Sequence, residues 1–76
     1  MEERVLKVLA ETIDGIESYE GNNLFEDGLL DSFQVIDIVD DLEDEFDIDI
    51  DAKYVVEENF VSKEAIIALI KKIAEQ

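Results

Sequence analysis

The chemistry available to this chain is narrow, and one hydroxyl stands out within it. Ser32 follows Gly28, Leu29, Leu30 and Asp31 and precedes Phe33. A glycine turn, two leucines that can pin the chain and an Asp–Ser pair at the start of a helix would display that hydroxyl at a helix N-terminus. There, backbone N–H groups without intrahelical partners and the positive end of the helix dipole favour a phosphate. Such a serine can accept a phosphodiester without disturbing the core. It can equally serve as a helix cap and nothing more. The sequence contains no His and no Cys. That excludes Ser/His and Cys/His catalytic pairs and imidazole or thiolate zinc sites.

The elements that must position Ser32 are helical. From Glu2 to Ile13, Val5, Leu6, Leu9 and Ile13 fall on one side of a helix. Asp14 to Asp31 interrupts the period with Gly15, Gly21, Asn22, Asn23 and Gly28, which favour turns. Leu24, Phe25, Leu29 and Leu30 give this long connection apolar anchors, so it is expected to be packed, and long ordered loops are often functional. A second helix is predicted from Ser32 to Phe46, with Asp31 as N-cap and Gln34 completing a capping box. Its apolar stripe is Val35, Ile38, Val39, Leu42 and Phe46, with Leu42 and Phe46 expected in the core. Tyr54 to Phe60 is read as a short third helix. The last helix is capped by Ser62, with Val61 and Ile66 as a hydrophobic staple, and runs through Ile66, Leu69, Ile70 and Ile73. Lys71 and Lys72 suit its C-terminal dipole. The expected fold is all-α: one domain over residues 1–76, a small four-helix bundle of three main helices plus one short helix, with a long loop between helices 1 and 2.

Composition narrows the partners. Asp and Glu number 22 against 6 Lys and Arg, a formal net charge of −16. Such a surface repels nucleic acid and anionic membranes and is drawn towards basic patches on proteins. No apolar run approaches the ~18 residues that would suggest a membrane span, and the N-terminus lacks the apolar stretch of a secretory signal. The chain is therefore expected to be a cytoplasmic monomer with no membrane insertion and no nucleic-acid partner.

Residues 24–46, read as a whole, resemble a known family. Gly28-Leu29-Leu30-Asp31-Ser32-Phe33 is similar to the G-x-x-(D)-S-(L/F/M) signature of acyl and peptidyl carrier proteins. Helix order, the long first loop and the acidic second helix extend the likeness over nearly the whole chain. The resemblance implies that Ser32 carries 4′-phosphopantetheine, installed from coenzyme A by a phosphopantetheinyl transferase, and that the arm's thiol holds an acyl or aminoacyl group as a thioester. It implies a carrier and not an enzyme, since the reactive chemistry belongs to the prosthetic group. It also implies recognition by partner enzymes through Asp31, Phe33, Ile36, Asp37, Asp40, Asp41, Glu43 and Asp44, with Ile50 at the edge. Phe33 and Ile36 would be apolar anchors and the acids would steer.

Two departures from the family pattern bear on partners. Asp40 stands where fatty-acid carriers usually show an apolar contact residue, and Phe33-Gln34 replaces the usual Leu-(Asp/Glu/Thr). With Glu57 to Ser62 before the last helix, these features look more like stand-alone carriers served by an AMP-forming ligase, such as D-alanyl carriers or freestanding secondary-metabolite carriers. Downstream acyl-transfer enzymes are implied; a fatty-acid synthesis carrier is the alternative.

Other function classes compete. Asp47, Asp49, Asp51 and Glu58 match the first, third, fifth and twelfth positions of a calcium-binding EF-hand loop. Against this, Ala52 occupies the sixth position, where the bend calls for glycine, and Ile48 and Ile50 suit a chain that buries alternate side chains. No specific metal site is expected. Weak, diffuse binding of divalent cations is, because eleven carboxylates lie from Asp37 to Glu58 with Lys53 alone opposing them. An acidic helical adaptor that binds basic partners is the remaining class.

Overall fold

The structure, a computed structural model, describes residues 2–75. Three α-helices account for most of it: α1 (Glu2–Thr12), α2 (Ser32–Phe46) and α3 (Lys63–Ala74). Three 3-10 turns join them, at Ile16–Ser18, Ala52–Tyr54 and Glu57–Asn59. Among the described residues there is no strand, and no helix is long and apolar enough to cross a membrane.

Both α2 and α3 start for a local reason. The Asp31 carboxylate accepts from the Gln34 N–H at 2.9 Å, and the Gln34 side-chain oxygen accepts from the Asp31 N–H at 2.9 Å. This is the capping box expected from the sequence, and it satisfies two donors reciprocally. Ser62 caps α3 by accepting from the Ala65 N–H at 3.1 Å. At the other end of α2, Asp47 adopts a left-handed conformation with φ 52° and its N–H reaches the Glu43 carbonyl. Glycine is the usual residue there, since a Cβ in that conformation costs energy. Asp47→Gly is therefore expected to stabilise the protein by about 0.5–1 kcal/mol, net of glycine's own entropy cost. That corresponds to roughly 2–8 °C in the melting temperature of a domain this size. An unchanged or lower melting temperature would contradict the assignment.

The core is built from all three helices and from the connections. Val5, Val8 and Leu9 of α1, Val35, Ile38 and Leu42 of α2, and Ile66, Leu69, Ile70 and Ile73 of α3 are buried. Ile13, Ile16, Leu24 and Leu30 of the first connection and Ile50 and Phe60 of the second complete it. No charged or polar residue is buried among the described residues, so the ionised groups lie at or near the surface.

Two expectations need correction. Tyr54 to Phe60 does not form a short α-helix: Val56 is extended (φ −126°, ψ 152°), and this breaks the segment into two separate 3-10 turns. Val55 and Val56 are adjacent β-branched residues, which lose χ1 freedom in a helix and favour extended backbone. Phe46 is half-buried instead of fully enclosed. The Arg4 guanidinium lies 4.5 Å from its ring centroid, and also donates to the Glu45 carboxylate at 2.9 Å and the Glu45 carbonyl at 2.6 Å. Arg4 thus ties the start of α1 to the end of α2 through stacking and charge together.

Candidate functional site

The segment before Ser32 is anchored at nearly every residue. Leu24 is buried, and its N–H donates to the Val61 carbonyl at 2.7 Å, which fixes the loop to the residues leading into α3. The Asn23 side-chain oxygen accepts from the N–H groups of Phe25 and Glu26 at 3.0 and 3.1 Å, an Asx-type turn. The Leu29 and Leu30 N–H groups both reach the Leu24 carbonyl, at 3.0 and 3.2 Å. Gly28 sits at φ 75°, open to glycine without strain, and reverses the chain. Leu30 is buried and Asp31 is extended, so the chain enters α2 from a fixed point.

Ser32 is exposed at the first position of α2. The cap is made by Asp31, which leaves the Ser32 hydroxyl outside the capping interaction. Beside it lies an open groove of about 510 Å³, walled by Phe25, Val35, Ile36, Val55 and Val56, with Glu57 at its rim. The large apolar side chains with the greatest exposure are Phe33 (80%), Ile36 (58%) and Val56 (40%). Two of them line the groove with Ser32, and the third is its neighbour in sequence. Exposed apolar groups gathered around one hydroxyl mark a contact surface.

The acids expected to surround this patch divide into two groups. Asp31, Asp37, Asp40 and Asp44 are exposed, and Asp41 is half-buried. Spacings of three and four residues place Phe33, Ile36, Asp37, Asp40 and Asp44 along one side of α2. Glu43, half-buried on the same side, and Ile50 differ in making contacts within the fold. Ile50 is 8% exposed and packs in the core, and its N–H donates to the Glu43 carboxylate at 2.7 Å. The reversal at Asp47 folds this segment back onto α2, so Glu43 is engaged in closing the fold.

The four residues of the EF-hand spacing each take a local place in the fold. Asp47 is the helix C-cap, and the Asp51 carboxylate accepts from the Lys53 N–H at 3.0 Å. Asp49 is exposed, and Glu58 lies in the second of the two 3-10 turns. Among the described residues, no group of three or more carboxylate, imidazole or thiol side chains is arranged to hold a metal ion.

One feature was not anticipated from the sequence. The Tyr19 hydroxyl donates to the Asp27 carboxylate and accepts from the Asn23 N–H at 3.1 Å. Partial burial and the bond to Asp27 raise the Tyr19 pKa above the ordinary 10.0, so the phenol stays protonated throughout the neutral range. Tyrosine eight residues before aspartate carries no periodic signal, and only the folded loop brings the pair together. Compared with models of protein families, with curated proteins and with solved structures, the chain matches none.

Proposed function

We propose that this chain is a carrier protein that holds an acyl or aminoacyl group on a 4′-phosphopantetheine arm at Ser32 and presents it to partner enzymes. The observation that carries the reading is an exposed serine hydroxyl, spared from capping, at the N-terminus of α2 beside an apolar groove. The residues present suit the arm. The Ser32 and Phe33 N–H groups lie in the helix's first turn, where a phosphodiester is favoured, and Phe25, Ile36, Val55 and Val56 offer apolar walls.

In this reading the Ser32 oxygen forms a phosphodiester with the pantetheine phosphate of coenzyme A. The pyrophosphate bond breaks, adenosine 3′,5′-bisphosphate leaves, and a base on the phosphopantetheinyl transferase takes the hydroxyl proton. The bound arm supplies a thiol for the thioester. The protein supplies the address: Phe33 and Ile36 as anchors, and Asp37, Asp40, Asp41 and Asp44 as steering charges towards basic partner surfaces.

The finer architecture follows the same reading: a small four-helix-type bundle in which the two 3-10 turns of residues 52–60 stand in for the short helix. Asp40 is exposed on the recognition side, which favours partners other than fatty-acid synthesis enzymes. An AMP-forming acyl or aminoacyl ligase is the proposed loading enzyme, followed by acyl-transfer enzymes.

The test is mass spectrometry after incubation with coenzyme A, magnesium and a broad-specificity phosphopantetheinyl transferase. Wild type is expected to gain one phosphopantetheine and Ser32→Ala none. Wild type left unmodified by several such transferases, or Ser32→Ala modified equally, would overturn the reading.

A further inference from the structure

The connection between α1 and α2 has two halves. The half nearer α2, residues 23–30, is closed by its own turns and by the bond from the Leu24 N–H to Val61. The half nearer α1 is anchored by Ile13 and Ile16, both buried, with a left-handed Gly15 between them. The Tyr19 hydroxyl joins the halves, with Asp27 as its acceptor and the Asn23 N–H as its donor. Gly21 belongs to the same clasp. A Cβ there would collide with the Tyr19 ring and hydroxyl and with the Asp27 carboxylate, so the chain passes directly over the bond. Asp27 in turn precedes Gly28, whose left-handed conformation aims the chain at Leu30, Asp31 and Ser32.

We propose that Tyr19 is a positioning residue for Ser32: its hydroxyl holds the Asp27–Gly28 turn against residues 19–22 and thereby fixes the loop face on which an enzyme acting at Ser32 must seat. This rests on the carrier reading. Tyr19 acts through the turn and not on the reacting atoms. Loss of its hydroxyl releases the exposed Glu26–Gly28 tip while Leu24 and Leu30 stay buried. The core remains formed, and the docking surface becomes an ensemble from which the enzyme must select one member, which weakens apparent binding in proportion to the fraction competent.

The experiment compares arm attachment by a phosphopantetheinyl transferase on wild type, Tyr19→Phe and Asp27→Ala, each assayed well below its melting temperature. Both variants are expected to lose roughly three- to tenfold in kcat/KM, the worth of one hydrogen bond. The loss should lie in KM with kcat kept, the mark of weakened docking. Amide exchange should quicken at Asp27 and Gly28 while α1 and α3 keep their protection. Ile73→Val, a mild core change in α3 away from the loop, should lower the melting temperature and leave both kinetic constants alone. Should Tyr19→Phe fail to fold, Asp27→Ala carries the test, because it removes the acceptor of the Tyr19 hydroxyl outright. A wild-type KM in the folded variants would overturn the positioning role while leaving the carrier reading intact. A wild type that accepts no arm would overturn both.

Discussion

Phe60→Ala is expected to remove most of the protein's stability. Phe60 is fully buried and among the largest side chains in the core, yet it comes from a stretch with no α-helix. Its N–H closes a 3-10 turn on the Glu57 carbonyl at 2.9 Å, and the next residue supplies the carbonyl that anchors Leu24. The buried ring therefore sits beside the backbone bond that joins the two connections flanking the Ser32 groove. Deleting a buried Phe side chain costs roughly 3–5 kcal/mol, lost transfer energy plus the cavity left behind. Whole domains possess ~5–15 kcal/mol, and a chain of this size, with no disulfide, sits at the low end. Urea denaturation should show the variant largely unfolded or with its midpoint shifted to very low urea. Phe60→Leu, which keeps much of the volume, should recover most of the loss. A change below about 1 kcal/mol would mean that Phe60 is not part of the core.

Phe33→Ala should show the opposite signature. At 80% exposure the ring contributes little to the fold, and its removal should alter stability by no more than about 0.5 kcal/mol. Its proposed role lies between molecules, as an aromatic anchor next to Ser32. Truncating such an anchor typically costs more than ~1.4 kcal/mol of binding, a factor of about ten. Arm attachment to Phe33→Ala should therefore lose at least roughly tenfold in kcat/KM, mainly through KM. Unchanged kinetics would move the contact surface away from the start of α2. Together the two variants separate an aromatic ring that builds the fold from one held out for a partner.

Features governed by neighbours a few residues apart were legible in the sequence. Asp31 with Gln34, and Ser62, could be read as caps because a cap requires only side chains and N–H groups within one turn. The stripes of α2 and α3 followed from the 3.6-residue period, whereas the outward place of Phe33 and Ile36 was expected from the resemblance. The place of Ser32 at the start of α2 was thus legible before any tertiary contact was known, and its proposed tethering role came from the resemblance.

What the sequence by itself determined is a set of three amphipathic helices, two of them with legible caps, the acidity of α2 and the place of Ser32 at its start, all consequences of local spacing. Only the tertiary structure decided which residues near that serine are free to meet a partner. Ile50 alternates with acids and reads as a rim residue, but the left-handed turn at Asp47 sends it into the core and engages Glu43 with its N–H. Asp47, Asp49, Asp51 and Glu58 match a loop spacing, but among the described residues no three carboxylates are gathered together to hold a metal ion. Phe46 fits the stripe yet stops half-buried, since its last cover is Arg4 from the far end of the chain. Tyr19 and Asp27 meet in a loop that is also tied at Leu24 to Val61, thirty-seven residues later. The cover on Phe46 depends on a contact between distant segments, and the Asp47 turn and the Tyr19–Asp27 bond on loop conformations that no hydrophobic period encodes.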